Sequence, residues 1–264
     1  MKVSLIISTF NSALKLRKVL EHIQCGSILP DEVLISDDGS NNETLELVME
    51  WAKKMPIKHI WHEDKGFRKC KILNKSLNST KYKYIIFLDG DCIPHKCVVA
   101  DHKNLAQSGF FIQGRRCFVP EKEVSKFIND KTSIRRLFLS GKLSGYFKSL
   151  RFPKPIIKIN RSQRGLIGCN WSAWREDLLE VNGFDEDYEG WGIGEDSDVC
   201  SRLYNLGRER KFVYGRAIVY HLNHPELPKW LPFYSGKVQL DKHNQNVSLQ
   251  FHPKIIPCRI RKIW

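Results

Sequence analysis

Short apolar runs alternate with stretches of helical periodicity over the first third of the chain. Apolar runs bounded by polar turns are typical of strands buried on both faces. Apolar residues three and four positions apart predict helices that bury one face. The predicted strands lie within residues 2–8, 32–38, 57–61 and 84–89, and the predicted helices are marked by Leu16, Val19, Leu20 and Ile23, by Leu45, Val48, Met49 and Ala52, and by Ile72, Leu73 and Leu77.

This alternation predicts an α/β fold, with a mostly parallel sheet covered by helices on both faces. Ligands of such sheets bind at the carboxyl ends of the strands. Three predicted strands end in polar residues there, namely residues 8–11, Asp37 with Asp38, and Asp89 with Asp91. We therefore expect these side chains along one rim. No Gly-x-Gly-x-x-Gly follows the first strand, which argues against a dinucleotide cofactor.

The chemistry of the rim residues suits a nucleotide. Asp89 and Asp91 project to the same side of an extended chain, so both can approach one hard cation and the phosphate that it carries. Phe10 can stack on a base, and Asp38 can accept a hydrogen bond from a pyrimidine N–H. The alternatives are core packing for Phe10 and ordinary acidic turns for the aspartates. Their joint placement favours the nucleotide.

Four segments in order resemble the signature of family-2 glycosyltransferases, which have the Rossmann-like GT-A fold. They are Ser-Leu-Ile-Ile-Ser-Thr-Phe-Asn-Ser, Ile-Ser-Asp-Asp-Gly-Ser, Asp-Lys-Gly-Phe-Arg-Lys-Cys-Lys-Ile-Leu-Asn and Phe-Leu-Asp-Gly-Asp-Cys-Ile-Pro. The resemblance implies a nucleotide-diphospho-sugar donor and Mn²⁺ or Mg²⁺. The residues that it implies are Ser8 at the nucleotide, Phe10 and Asp38 at the base, Arg68 near the phosphates, Asp89 at the ribose and Asp91 on the metal. A helix-surface cation is the alternative for Arg68.

A glycine-rich stretch near residue 190 is predicted to open a helix with several acids in its first turn. Such acids usually interact with the helix dipole, but glycosyl transfer also needs a base. The stretch resembles the Trp-Gly-x-Glu-Asp segment of β-4-galactosyltransferases and of related bacterial capsule and lipopolysaccharide transferases. That resemblance implies Asp196 as catalytic base, Glu195 as acceptor or orienting carboxylate, and Trp191 with Gly192 in the sugar pocket. An inserted Ile193 leaves the loop geometry open.

Two further segments carry candidate ligands. Indoles within residues 165–174, Trp171 among them, can line a sugar pocket, and core packing is the alternative. A predicted strand over residues 217–221 ends near two histidines, for which burial with a hydrogen bond is the usual explanation. In the resembling families a histidine after such a strand completes the metal site, which implies His221, with His224 as second choice. Carboxylate and imidazole together suit Mn²⁺.

The net charge of +14 is concentrated in two segments. Residues 120–165 contain twelve Lys and Arg against three acids, and residues 250–264 contain four basic residues and no acid. Such surfaces imply an anionic partner. Apolar residues at roughly helical spacing within 120–165 suit a helix lying on an anionic membrane, and a solvated cover over the acceptor site is the alternative. A nucleic-acid partner is not expected, because no recognition helix, zinc pattern or aromatic RNA motif is present.

We expect four segments: a nucleotide-sugar-binding half (1–116), a basic helical insertion (117–165), an acceptor-binding and catalytic half (166–228) and a basic C-terminal tail (229–264). Eight dispersed cysteines predict reduced thiols. The lack of a secretory signal or of an 18-residue apolar run predicts a cytoplasmic protein. The basic segments predict peripheral contact with the inner face of the cytoplasmic membrane. The predicted function is inverting, metal-dependent transfer of a hexose or N-acetylhexosamine from a UDP-sugar to a glycan or glycolipid acceptor in bacterial capsule or lipopolysaccharide synthesis. The rivals are a basic nucleic-acid-binding protein and a non-catalytic glycan-binding homologue.

Overall fold

Strands and helices alternate through the part of the chain that the computed structural model describes, residues 1–160, 166–190 and 194–224. The strands are β1 (Val3–Thr9), β2 (Glu32–Asp37), β3 (Ile57–Trp61), β4 (Tyr84–Asp89), β5 (Cys92–Pro94), β6 (Phe110–Gln113), β7 (Arg115–Val119), β8 (Ile156–Asn160), β9 (Asn170–Trp174), β10 (Glu209–Tyr214) and β11 (Ile218–Leu222). The helices are α1 (Ala13–Gln24), α2 (Asn42–Ala52), α3 (Lys69–Ser79), α4 (Val98–Leu105), α5 (Glu121–Ile128), α6 (Ile134–Leu139), α7 (Arg175–Glu180) and α8 (Glu195–Asn205).

Eight strands form the central sheet, in the order β3-β2-β1-β4-β9-β6-β10-β8. Strands β1 to β4 are parallel to their neighbours within that set. The apolar runs of β1, β2 and β4 are buried between helices on the two faces, whereas edge strand β3 is only partly buried. Strand β9 runs antiparallel to β4 and β6, and β8 is an antiparallel edge strand. The predicted α/β fold with a mostly parallel sheet is confirmed.

Helix α2 forms where the periodicity predicts it, with a different face against the sheet. Leu47, Val48 and Trp51 are buried, whereas Met49, which was expected to face the core, is 61% exposed. A buried tryptophan removes more apolar surface from water than a methionine does, so the stripe that contains Trp51 packs inward.

Strands β6 and β7 are separated by a single residue, yet they belong to different sheets. The chain leaves the central sheet at Gly114, where an added Cβ would lie 2.4 Å from Asn170 Nδ2 and 2.5 Å from the Ala217 carbonyl oxygen. Strand β7 then joins a three-stranded sheet in the order β5-β11-β7. This small sheet positions His221, since β11 pairs with β5 directly after Asp91.

The basic segment contains two short helices, α5 and α6, and a 3-10 turn at Tyr146–Ser149, and edge strand β8 follows them. Its apolar side chains are divided, because Val124, Phe127 and Leu137 pack into the main core while others face solvent. None of the helices in the described ranges has the length and apolar character needed to cross a membrane. The seven cysteines of those ranges are free thiols, and the predicted tail 229–264 lies outside them.

Candidate active site

The predicted rim forms because β1, β2 and β4 end at the same edge of the sheet. Thr9 pairs with Asp37 in the register of β1 and β2, and Ser8 pairs with Asp89 in the register of β1 and β4. The Ser8 hydroxyl donates a hydrogen bond to Asp89 Oδ1 at 2.6 Å. The structure therefore brings together residues that lie about 80 positions apart in the sequence.

The residues predicted to bind the nucleotide base, Phe10 and Asp38, directly follow the paired residues Thr9 and Asp37. Phe10 is 47% exposed, so its ring is accessible instead of packed in the core. The buried Asp38 carboxylate is held at both oxygens: His62 Nε2 lies 2.6 Å from Oδ1, and the Arg68 backbone N–H donates to Oδ2 at 2.9 Å. Each carboxylate oxygen can accept a second hydrogen bond. The arrangement fixes the orientation of Asp38 and leaves it acceptor capacity.

The side chain of Arg68 does not take part in the contact with Asp38. Its guanidinium donates to the Glu63 carbonyl oxygen, and its backbone N–H contacts Asp38. Its predicted contact with the nucleotide phosphates stays a prediction.

A second cluster joins Asp89 to α8. Lys69 Nζ, in the first turn of α3, lies 2.8 Å from Asp89 Oδ1. Lys69, Asp89 and Asp196 line one cavity of about 10 Å³ together with Ser8 and Gly168. A volume of that size holds roughly one water molecule. The other lining residues are apolar, namely Leu73, Phe87, Leu88, Trp171 and Phe184. The nucleotide rim and the predicted catalytic base thus meet at one small cavity.

The charges in this cluster alter the pKa values of its members. Burial of the carboxyl raises the pKa of Asp196 to about 7; Lys69 opposes this increase, while Glu195 and Asp89 add to it. For Lys69, burial favours the neutral amine, but the carboxylates of Asp89, Asp196 and Glu195 outweigh it and raise the pKa. A general base is most effective when its pKa lies near the working pH. Asp196 therefore has the environment of a proton acceptor at neutral pH.

Gly168 allows Asp196 to occupy this position. Its backbone N–H donates to Asp196 Oδ2 at 3.0 Å. An added Cβ would lie 2.2 Å from Asp196 Oδ1 and 2.5 Å from Oδ2, closer than nonbonded atoms can approach. A side chain at residue 168 would displace the carboxylate.

Two imidazoles lie beside Asp91, which follows Asp89 by two residues. His221 Nε2 lies 3.4 Å and His224 Nε2 lies 3.3 Å from Asp91 Oδ2. Burial alone would raise the pKa of Asp91, but a hydrogen bond from His224 and the charges of His221 and Lys15 lower it. Burial lowers the pKa of His221, against the pull of Asp91. A carboxylate beside two imidazoles is a donor set that fits a divalent ion such as Mn²⁺.

Of the predicted sugar-binding residues, Trp171 lies in the described part of the chain. Trp171 is 1% exposed, and its ring stacks on Phe87 with centroids 4.5 Å apart, because the two residues are paired between β9 and β4. Trp171 therefore packs in the core and also lines the cavity that contains Asp89 and Asp196, and its predicted contact with a sugar stays a prediction. Trp191 and Gly192 lie outside the described residues. Glu195 is partly buried in the first turn of α8, next to Asp196.

Three contributors were missed by the sequence reasoning, namely Lys69, His62 and Gly168. A signal existed for Lys69, which precedes Ile72 and Leu73 by three and four residues and so shares their sheet-facing side of α3. No local pattern relates His62 to Asp38 or Gly168 to Asp196, since both contacts join separate segments.

Two family models match the chain. The family model described as glycosyl transferase family 2 matches residues 4–178, which is more than half of the chain. The model described as the N-terminal domain of galactosyltransferase matches residues 154–225. Chondroitin synthase from Escherichia coli is 26% identical over 279 residues, which span 98% of this chain and 39% of that protein. The chain spans between a quarter and about half of the length of the first curated relatives that it matches.

Solved structures share the fold. S. aureus TarS in complex with UDP-GlcNAc matches with a TM-score of 0.60 and 18% identity, covering 86% of this chain and 60% of that one. The mannosyltransferase PcManGT from Pyrobaculum calidifontis, in complex with GDP-Man and Mn²⁺, matches with a TM-score of 0.57 and 18% identity, covering 83% of this chain and 56% of that one.

Proposed function

We propose, from the premise that this chain belongs to glycosyl transferase family 2, that it moves a hexose or N-acetylhexosamine from a UDP-sugar to a glycan or glycolipid acceptor with inversion of configuration. The observation that carries the proposal is the position of Asp196. Its carboxylate has a pKa raised to about 7 and lines the same cavity as Asp89 of the nucleotide rim.

In this proposal Asp196 takes the proton of the acceptor hydroxyl. The hydroxyl oxygen then attacks the anomeric carbon from the face opposite the nucleotide, and the bond to the diphosphate breaks. A single displacement inverts the configuration, so it requires no covalent nucleophile on the protein. Glu195 orients the acceptor, and Lys69 keeps Asp89 and Asp196 in place by its charge.

The nucleotide half of the proposal assigns the donor to the rim. Phe10 stacks on the base, Asp38 accepts from its N–H while His62 holds the carboxylate, and Asp89 lies at the ribose with Ser8. A pyrimidine suits Asp38, because its ring N–H is a donor that a carboxylate can accept. The UDP-GlcNAc complex of TarS, which shares the fold, supports a UDP-sugar as donor.

Asp91 and His221, with His224 beside them, would hold Mn²⁺ or Mg²⁺. When bound, the ion would neutralise the negative charge of the departing diphosphate. The Mn²⁺ complex of PcManGT supports a divalent ion in this fold.

The proposed setting is the assembly of a bacterial capsule or lipopolysaccharide in the cytoplasm, with peripheral contact at the inner face of the cytoplasmic membrane. Within the chain, residues 1–116 bind the nucleotide-sugar and residues 166–228 bind the acceptor and carry the base. The proposal assigns neither donor binding nor acceptor binding to the basic insertion 117–165 or to the tail 229–264.

A donor screen tests the proposal. UDP-glucose, UDP-galactose, their N-acetyl forms and GDP-mannose are incubated with the protein, with and without Mn²⁺, and release of the nucleotide diphosphate is measured. We expect Mn²⁺-dependent release of UDP from at least one UDP-sugar. Tight binding of RNA together with UDP binding that ignores Mn²⁺ would instead favour a nucleic-acid-binding protein.

A further inference from the structure

Residues 131–148 form a surface that combines positive charge with exposed apolar side chains; it is called the 131–148 surface below. The segment contains Lys131, Arg135, Arg136, Lys142 and Lys148 and no acidic residue. All five side chains are exposed. Lys142 pairs with Glu123, but the other four have no acidic partner within ion-pair distance among the described residues.

The same segment exposes two large apolar side chains. Leu139 is 72% exposed and Phe147 is 82% exposed. Both follow residues whose rings stack on each other, since the Phe138 and Tyr146 centroids lie 4.8 Å apart. Leu139 and Phe147 are therefore neighbours of one aromatic contact and belong to the same part of the surface.

This surface is held firmly by the core beneath it. Leu137 and Leu143 are buried in the main hydrophobic cluster, at 1% and 3% exposure. Phe118 and Ser144 exchange backbone hydrogen bonds that fix the segment to β7. The buried side chains of Leu137 and Leu143 hold the segment in place, and Leu139 and Phe147 face solvent in the folded state. Large apolar groups exposed beside polar ones commonly mark an interaction site.

We infer that the 131–148 surface binds an anionic lipid membrane, with Leu139 and Phe147 entering the interface and the basic side chains contacting lipid phosphates. The inference extends the proposed location of the protein, and it does not depend on the proposed chemistry. A lipid surface is the occupant that satisfies both features, because it offers phosphates and an apolar layer within a few ångströms of each other. A soluble polyanion would neutralise the charge and leave Leu139 in water.

The contact is expected to be reversible. Each basic residue near an anionic surface favours binding by roughly fivefold, and two partly inserted side chains add less than an acyl anchor does. Salt weakens attraction between exposed charges. We therefore expect a peripheral association that depends on ionic strength.

Vesicle sedimentation tests the inference on the 264-residue chain. Phosphatidylcholine vesicles are compared with vesicles that also contain phosphatidylglycerol, at low and high NaCl. The apolar variant is Leu139→Ser with Phe147→Ser, and the charge variant is Arg135→Glu with Arg136→Glu. Matched controls are Met49→Ser, an exposed apolar residue on α2, and Lys53→Glu, an exposed lysine after it.

The wild type should sediment with phosphatidylglycerol vesicles and remain in solution with phosphatidylcholine alone. Each double variant should weaken this partition at least tenfold, whereas the controls should leave it unchanged. Thermal melting and UDP binding in solution, measured on every variant, separate a surface effect from misfolding. Failure of the wild type to bind, or equal binding by the double variants, would overturn the inference and leave the donor screen unaffected. Binding of RNA through Arg135 and Arg136 without vesicle binding would also overturn it.

Discussion

Two aspartates of the site have opposite environments. Asp91 faces two imidazoles, and these neighbours hold its pKa below the usual value. Asp196 lies near two other carboxylates in a small cavity, and burial raises its pKa to about 7 in spite of Lys69. In the proposed mechanism the same functional group is thus an ionised ligand in one place and a proton acceptor in another. The difference teaches that the neighbouring groups, more than the residue type, determine the pKa of each aspartate in this site.

The difference also has a structural origin. Asp91 and His221 meet because β11 pairs with β5 in the small sheet. Asp196 reaches the central sheet because α8 begins next to Gly168, which has no side chain to exclude it. Each environment can therefore be altered separately by a single substitution.

The largest effect is expected for Asp196→Asn. Removing a general base typically costs about 10² to 10⁴ in rate, so kcat for glycosyl transfer should fall by that factor. The concentration of Mn²⁺ that gives half-maximal binding of the UDP-sugar should stay unchanged, because Asp91 and His221 are untouched. Asp187→Asn, at an exposed acid outside the cavity, is the matched control. Near-normal transfer by Asp196→Asn would remove Asp196 from the proposed role.

A smaller effect is expected for Asp91→Asn, and it should change the requirement for Mn²⁺ more than kcat. Loss of the ionised ligand should raise the Mn²⁺ concentration needed for half-maximal activity by about tenfold or more. At saturating Mn²⁺ much of kcat should return, since the base is still present. Titration calorimetry with Mn²⁺ and UDP measures the first quantity, and initial rates measure the second. An unchanged requirement for Mn²⁺ would show that Asp91 is not a ligand.

The smallest effect concerns Lys69, whose charge lowers the pKa of Asp196. Without that charge the Asp196 carboxylate should gain its proton at higher pH. The acid limb of the pH–rate profile should therefore move upward by about one unit in Lys69→Met, for a rate loss of about tenfold on that limb. Lys69→Arg keeps the charge and should keep the limb in place. Equal profiles for both variants would argue that Lys69 has only a packing role.

Much of the fold could be predicted because the parallel half is built from local units. Each strand and helix from β1 to β4 has its own apolar pattern, and short connections join neighbours. The small sheet could not be predicted, since it pairs residues near 92 with residues near 221 and no periodicity encodes that contact. The break between β6 and β7 at Gly114 could not be predicted for the same reason.

The site was predictable where chemistry and strand ends coincide, as for Ser8 and Asp89. It was not predictable where a contact depends on packing. Trp171 was expected at a sugar and lies in the core, because a strand pattern does not tell which covered face a side chain occupies. Lys69 was overlooked, because a lysine is usually exposed, and here the carboxylates of Asp89, Asp196 and Glu195 stabilise its charge in the site.

The central claim is that Asp196 is a carboxyl group with a pKa near neutrality, in contrast to Asp91. Carbon-13 NMR titration of the aspartate side-chain carboxyls in the metal-free protein measures this directly, with Asp196→Asn used to assign the resonance. We predict one aspartate that titrates at about pH 7 and is absent from the variant. If every aspartate resonance titrates below about pH 5, the usual range of such groups, the account of Asp196 is contradicted.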